Sequence, residues 1–92
     1  MKSKEFIQKE LEKRRATLAS VSEKVHYVNG LLKEHTVSSY LVRGDVVGAK
    51  QCTTSRMKLL KQKKLLLAEE EEANKSVIMA EERLSLYEKD NA

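Results

Sequence analysis

At 92 residues the chain can form at most one small domain, and 35% of its residues are charged. It contains no proline, no tryptophan, three glycines, one phenylalanine and three tyrosines, and its formal net charge is +4. This composition excludes a large aromatic core, and it favours long helices with much of their surface in water over a sheet or a deep globular fold.

The start of the chain and its cysteine usage indicate a cytoplasmic protein. Residues 1–5 are mostly charged or polar and lack the apolar run of a secretory signal. No apolar stretch approaches the length needed to cross a bilayer, so we expect no membrane association. Cys52 is the only cysteine, which excludes an intramolecular disulfide framework and suits a reducing compartment.

Apolar residues recur at alternating steps of four and three through the first third of the chain, as in the a and d positions of a coiled coil. Seven of the nine positions in this first seam are apolar, and the spacing extends through Ser39 to Val42. Ser3 is suited to cap the helix at its start, and Gly30 interrupts the pattern. The first seam consists of Ile7, Leu11, Arg14, Leu18, Val21, Val25, Val28, Leu32 and His35.

A second seam of the same spacing occupies the last half of the chain, and nine of its twelve positions are apolar. Its polar members recur every seven residues, with leucine pairs at 59–60 and 66–67 around them. One interpretation is a helix with two neighbours, its hairpin partner and another chain. The alternative is one wide amphipathic face whose long polar side chains reach water along their alkyl stems. The second seam consists of Ala49, Cys52, Arg56, Leu59, Lys63, Leu66, Glu70, Ala73, Val77, Ala80, Leu84 and Tyr87.

Gly44 and Asp45 form the predicted turn, because glycine readily adopts the left-handed conformation that ends a helix and aspartate caps the next one. We expect an all-α fold, an antiparallel two-helix hairpin resembling a coiled coil, with residues 1–92 as one domain. Helix one spans about 3–43, the turn 44–45 and helix two about 46–90. Because a two-helix core is narrow, we expect self-association or docking on a partner to complete it.

Charge varies strongly along the chain and favours this hairpin. Residues 1–43 have nine Lys or Arg against five Glu (+4), residues 44–64 have six against one Asp (+5), and residues 65–92 have three against eight Asp or Glu (−5). Folding back at the turn brings the acidic end beside the basic start. A parallel dimer of extended helices would instead set Glu69–Glu72 beside its own copy. The preference is modest, because exposed ion pairs contribute little.

The residues around the turn allow a second interpretation. The segment 36–42 is rich in residues that favour strands, and Val46 and Val47 follow the turn. A small β-hairpin could therefore crown the two helical arms, an arrangement that would resemble the prefoldin type of chaperone subunit. We expect the helical tip.

Two groups of residues are candidates for binding a partner. The first contains apolar residues left over from the hairpin: Leu60, Leu67, Leu84, Leu86 and Tyr87. The second is a basic patch: Arg43, Lys50, Arg56, Lys58, Lys61, Lys63 and Lys64. Such a patch is typical of a solvated helix, an acidic protein partner or nucleic acid. Against nucleic acid, the patch has no interleaved aromatic residues, and no recognition-helix or phosphate-loop motif occurs.

The sequence contains no catalytic or metal-binding pattern. His26 and His35 are nine residues apart, on opposite sides of a straight helix, and Cys52 lies on the second seam as a small apolar residue. The four consecutive acids at 69–72 point in four directions. The adhesion-like tripeptide 43–45 is better explained by turn and cap chemistry.

The sequence therefore predicts a small non-enzymatic protein–protein interaction module with no cofactor and no metal. It would act as an adaptor, assembly factor or inhibitor by helix docking on a larger protein or on a second copy of itself. A nucleic-acid-associated protein using the basic patch, and a prefoldin-like chaperone subunit, are the alternatives.

Overall fold

A computed structural model describes residues 3–34 and 36–90, and this part of the chain is almost entirely helical. Helix α1 spans Lys4–Glu34, the short helix α2 spans Val37–Val42, and helix α3 spans Val46–Asp90. No strand occurs among these residues, so the helical interpretation of the tip is confirmed there. Within the same residues, no helix has an apolar stretch long enough to cross a bilayer.

The helix ends follow from local hydrogen bonding. At the start of α1, the amide of Phe6 donates to Ser3 Oγ at 3.3 Å, which is the predicted cap. Gly44 ends α2 with a φ of 73°, in the left-handed region that favours glycine. Asp45 Oδ1 then accepts a hydrogen bond of 2.8 Å from the amide of Gly48 in the first turn of α3. This is the turn and cap chemistry predicted for Gly44 and Asp45.

The predicted helix one, 3–43, is divided in the structure between α1 and α2. Thr36 has an extended backbone, with φ −101° and ψ 140°. The hydroxyl of Ser39 donates to the carbonyl oxygen of Thr36 at 2.8 Å, and Thr36 Oγ1 donates to Ser39 Oγ at 3.3 Å. Such local side-chain bonds compete with the helical pattern, which is why Ser and Thr clusters interrupt helices.

The described residues form two compact units. Unit 1 contains residues 3–22 of α1 with 68–90 of α3, and unit 2 contains 23–67 apart from residue 35. In unit 1, Leu11, Val77 and Ala80 form a buried cluster, against which Leu18 and Leu84 pack. In unit 2, the buried cluster is Val25, Val28, Leu32 and Leu66, with Leu59 packed against it.

Polar contacts in unit 1 fix the direction of its two segments. Lys4 pairs with Glu88 at 3.4 Å and Arg15 pairs with Glu81 at 3.3 Å. Arg14 donates to the carbonyl oxygen of Ser76 at 3.0 Å. Lys4, at the start of α1, thus contacts the end of α3, whereas Arg14 and Arg15 contact earlier positions of α3, so the two segments of this unit run in opposite directions.

Burial follows the two predicted seams. Each described residue in the buried core lies at a seam position, and the other described members of the two seams are half-buried. The predicted extension of the first seam through Ser39 to Val42 is wrong, because both residues are exposed. No described side chain is removed completely from solvent. His35, the last position of the first seam, lies outside the described residues. The core is therefore narrow, as expected for two helices without a third neighbour.

Candidate interaction surface on helix α3

The residues that follow the seam positions of α3 form an exposed row in unit 2. We call this row the second stripe, and it consists of Lys50, Thr53, Met57, Leu60, Lys64 and Leu67. All six are exposed, and the three apolar members are 58% (Met57), 51% (Leu60) and 43% (Leu67) accessible. Their steps of four and three place them on one side of the helix. Leu59 and Leu66, one residue earlier, turn towards α1 instead.

Lysines beside the second stripe carry charge that the chain does not neutralise. Within residues 3–34 and 36–90, no ion pair or hydrogen bond involves the side-chain ammonium groups of Lys50, Lys58, Lys61, Lys63 and Lys64. Four of them are exposed and Lys63 is half-buried. The second stripe is therefore apolar at its centre and has lysines along its flanks.

A groove between α1 and α3 borders the second stripe in unit 2. We call it the basic groove, and its lining is His26, Asn29, Gly30, Leu32, Lys33, Arg56, Leu60 and Lys63. No acidic residue belongs to this lining among the described residues. A Cβ atom added at Gly30 would meet nothing within 4 Å, so the backbone there faces open space. The lining of the groove thus combines two leucines with the cationic side chains of Lys33, Arg56 and Lys63.

The α1 wall of the basic groove was not predicted from the sequence. His26, Asn29, Gly30 and Lys33 recur at helical spacing beside the first seam, which is the signal that could have identified them. The seam spacing does not by itself indicate which neighbouring side chains border a groove, because that depends on how the paired helix is rotated.

The two arginines of the predicted basic patch are held inside unit 2. Arg43 lies 5.0 Å from the ring centre of Tyr40 and donates to the carbonyl oxygen of Ser39 at 3.2 Å. Arg56 is half-buried and donates to the carbonyl oxygen of Leu32. Their positive charges remain, but both side chains already have structural contacts.

The three candidates at the end of α3 do not join the second stripe. Leu84 packs against the buried cluster of unit 1, and Tyr87 is half-buried at the last seam position. Leu86 is 61% accessible but belongs to unit 1. Of the five apolar candidates, only Leu60 and Leu67 therefore lie in the second stripe.

The acidic residues of α3 differ in whether they contact α1 or their own helix. Glu81 and Glu88 form ion pairs with α1, and Glu70 Oε2 accepts a hydrogen bond of 2.8 Å from the hydroxyl of Ser22. In contrast, Glu71 and Glu72 pair with Lys75 of their own helix, at 3.5 and 3.8 Å. Among the described residues, the run 69–72 therefore forms no ion pair with a Lys or Arg of α1, and the predicted pairing of the acidic end with the basic start is seen at Glu81 and Glu88 instead.

Two further features lie near the tip. One is a group of apolar side chains that are each more than half exposed: Leu41, Val42, Val46 and Val47. Cys52 is buried and lies beside a shallow pocket whose lining includes Tyr40 and Gly48. Among the described residues, no three His, Cys, Asp or Glu side chains are placed to hold a metal ion.

Comparison of the chain with protein-family models, with curated proteins and with solved structures found no match.

Proposed function

We propose that this protein is a non-enzymatic interaction module that binds an acidic helical surface on a larger protein. The binding surface is the second stripe together with the adjoining basic groove. The observation that carries the proposal is the exposure of Leu60 and Leu67 among lysines that have no partner within the described residues. In this mechanism the leucines provide most of the affinity, and the lysines select an acidic partner and orient it.

A helix is the partner structure that fits this surface best. The second stripe repeats at steps of four and three, which is the spacing that a neighbouring helix packs against in a coiled coil. Gly30 has no side chain and faces open space, so the backbone of a partner helix could approach α1 closely at this position. An adaptor, an assembly factor and an inhibitor would all use such helix-to-helix docking.

Nucleic acid is the second candidate partner, because the same unpartnered lysines could contact phosphates. Two features favour a protein partner over nucleic acid. Leu60, Met57 and Leu67 lie on the same side of α3 as Lys50 and Lys64, where a phosphate backbone would leave the apolar side chains exposed. Aromatic residues that could stack bases are also absent from the second stripe. The prefoldin-like alternative requires a β-rich tip, and residues 37–42 form α2 instead.

Affinity capture from a lysate of the native host, with and without nuclease, tests the proposal. We expect one dominant protein to be retained in both conditions by the wild type and to be lost with the Leu60→Ser/Leu67→Ser variant. The matched control is Met79→Ser/Leu86→Ser, which changes two exposed apolar residues of unit 1. Equal retention by all three proteins would overturn the proposal, and retention that disappears with nuclease would establish nucleic acid as the partner.

A further inference from the structure

We infer that the partner helix lies in the basic groove, in contact with both α1 and α3 of unit 2, and that it carries acidic side chains on both sides of its apolar seam. The inference rests on the proposed function, because it identifies how the acidic helix of the larger protein is recognised. It gives the α1 side of the groove a part in selecting that helix. All residues of this surface belong to unit 2.

The basic groove matches about one heptad of a helix in length. Its lining lies within residues 26–33 of α1 and 56–63 of α3, which is about 12 Å along each helix at ~1.5 Å per residue. Leu60 lines the groove and is also a member of the second stripe. A helix whose apolar seam contacts Leu60 would therefore contact the groove and the second stripe together.

Positive charge is present on both sides of the groove. Lys33 belongs to the α1 side, and Arg56 and Lys63 belong to the α3 side. Within residues 3–34 and 36–90, no ion pair or hydrogen bond involves the ammonium groups of Lys33 and Lys63, whereas Arg56 donates to the carbonyl oxygen of Leu32. A helix in the groove would thus be favoured by one carboxylate facing Lys33 and another facing Lys63.

Gly30 is a second, independent reason to place a helix backbone in the groove. Glycine inside a helix is less favourable than alanine. The fold of unit 2 does not require glycine here, because its φ is not positive, in contrast to Gly44, and an added Cβ atom would meet nothing within 4 Å. A partner backbone that passes close to α1 would require it, since any side chain would occupy the same space.

A synthetic acidic helix tests the inference on the full chain. The acidic probe is a fluorescent peptide of about three heptads, with leucine at a and d and glutamate at every e and g position, so that like charges oppose its pairing with itself. Fluorescence anisotropy measures its binding. We expect Lys33→Glu/Lys63→Glu to bind it at least ~10-fold more weakly than the wild type, because like charges then face each other on both sides.

A basic probe, with lysine at every e and g position, should show the opposite preference. It should bind Lys33→Glu/Lys63→Glu more tightly than it binds the wild type. The matched control is Lys13→Glu/Lys24→Glu, two exposed lysines of α1 outside the groove lining, with the same change in net charge. It should bind the acidic probe within ~3-fold of the wild type, since distant exposed charges are screened. Equal weakening by both variants would overturn the inference.

Gly30→Gln tests occupation of the groove without a change in charge. Glutamine is a better helix former than glycine and the site is open, so this variant should melt at or above the wild-type temperature. Its side chain would fill the groove, and we expect the acidic probe to bind at least ~10-fold more weakly. Ala16→Gln, at an exposed position of α1, is the control and should bind like the wild type. Full affinity of the folded Gly30→Gln variant would overturn the inference.

The inference and the proposed function can fail separately. Leu67 lies in the second stripe but outside the groove lining. If Leu67→Ser weakens binding of the acidic probe while Gly30→Gln does not, the partner packs on α3 alone, so the inference is wrong and the proposed function stands. If the wild type does not bind the acidic probe, the inference is also wrong, and lysate capture with the leucine variant still decides the proposed function.

Discussion

The side chain of Arg56 donates a hydrogen bond to the backbone carbonyl of Leu32, across the two paired helices of unit 2. Leu32 is among the last four residues of α1, whose carbonyls have no partner within the helix itself. A polar residue at a seam position thus completes the hydrogen bonding of a helix end, which explains why the second seam can accept arginine there.

Replacing Arg56 by alanine should lower the free energy of unfolding by ~1–2 kcal/mol, because the Leu32 carbonyl loses a charged donor in a half-buried place. Urea denaturation followed by circular dichroism measures the change. Lys58→Ala, an exposed change two residues along the same helix, should stay within ~0.5 kcal/mol of the wild type. Equal effects of the two substitutions would show that the hydrogen bond does not stabilise unit 2.

Two glycines should respond to alanine in opposite ways. Gly30→Ala should raise the free energy of unfolding by up to ~1 kcal/mol, because the site has open space and alanine is the better helix former. Gly48→Ala should lower it, because the new Cβ would lie 2.3 Å from Asp45 Oδ2 and 2.7 Å from Tyr40 Cδ1. Thermal melts of the two variants provide the comparison, and changes of the same sign would contradict this account of the tip.

Much of the helix pairing was predictable, because burial on a helix repeats with the sequence spacing. Val28 and Ala80 are the least exposed residues of the core, at 2% each, and both were predicted as seam positions. The end of α1 was not predictable from that spacing. The spacing alone continues to Ser39 and Val42, whereas in the structure the backbone is extended at Thr36 and hydrogen bonds join Thr36 to Ser39.

The candidate site was predictable in part. The sequence predicts Leu60 and Leu67 as contact residues because they remain after the seam is assigned, and both are exposed. It also predicts Leu84, which instead occupies a seam position and packs against the buried cluster of unit 1. The proposal that the second stripe binds an acidic helix depends on which lysines have no partner inside the chain. The sequence does not show this, because it follows from how the side chains of the paired helices contact one another.

Val21→Asp tests the first seam in unit 1. Val21 is 8% accessible, so an ionised carboxylate there would be buried without a cation and should cost ~3 kcal/mol or more. Helicity and the melting temperature should both fall. Ala19→Asp, at an exposed position of the same helix, is the control and should melt close to the wild type. An unchanged melting temperature for Val21→Asp would show that the seam is assigned incorrectly.

The ion pair between Arg15 and Glu81 should contribute little to stability. Both side chains are about half exposed, at 56% and 48%, so water and salt screen the attraction. A double-mutant cycle with Arg15→Ala and Glu81→Ala should give a coupling energy below ~1 kcal/mol. A much larger coupling would mean that charge, rather than the apolar seam, holds unit 1 together.

The most direct test of the second stripe combines two measurements on the Leu60→Ser/Leu67→Ser variant. Circular dichroism reports its helicity, and affinity capture from a lysate of the native host reports its binding of a larger protein. The account predicts that helicity stays at the wild-type value while capture is lost, because both leucines are exposed. A variant that loses its helicity would show that these leucines support the fold, and a variant with unchanged helicity and unchanged capture would contradict the assignment of the second stripe as the binding surface.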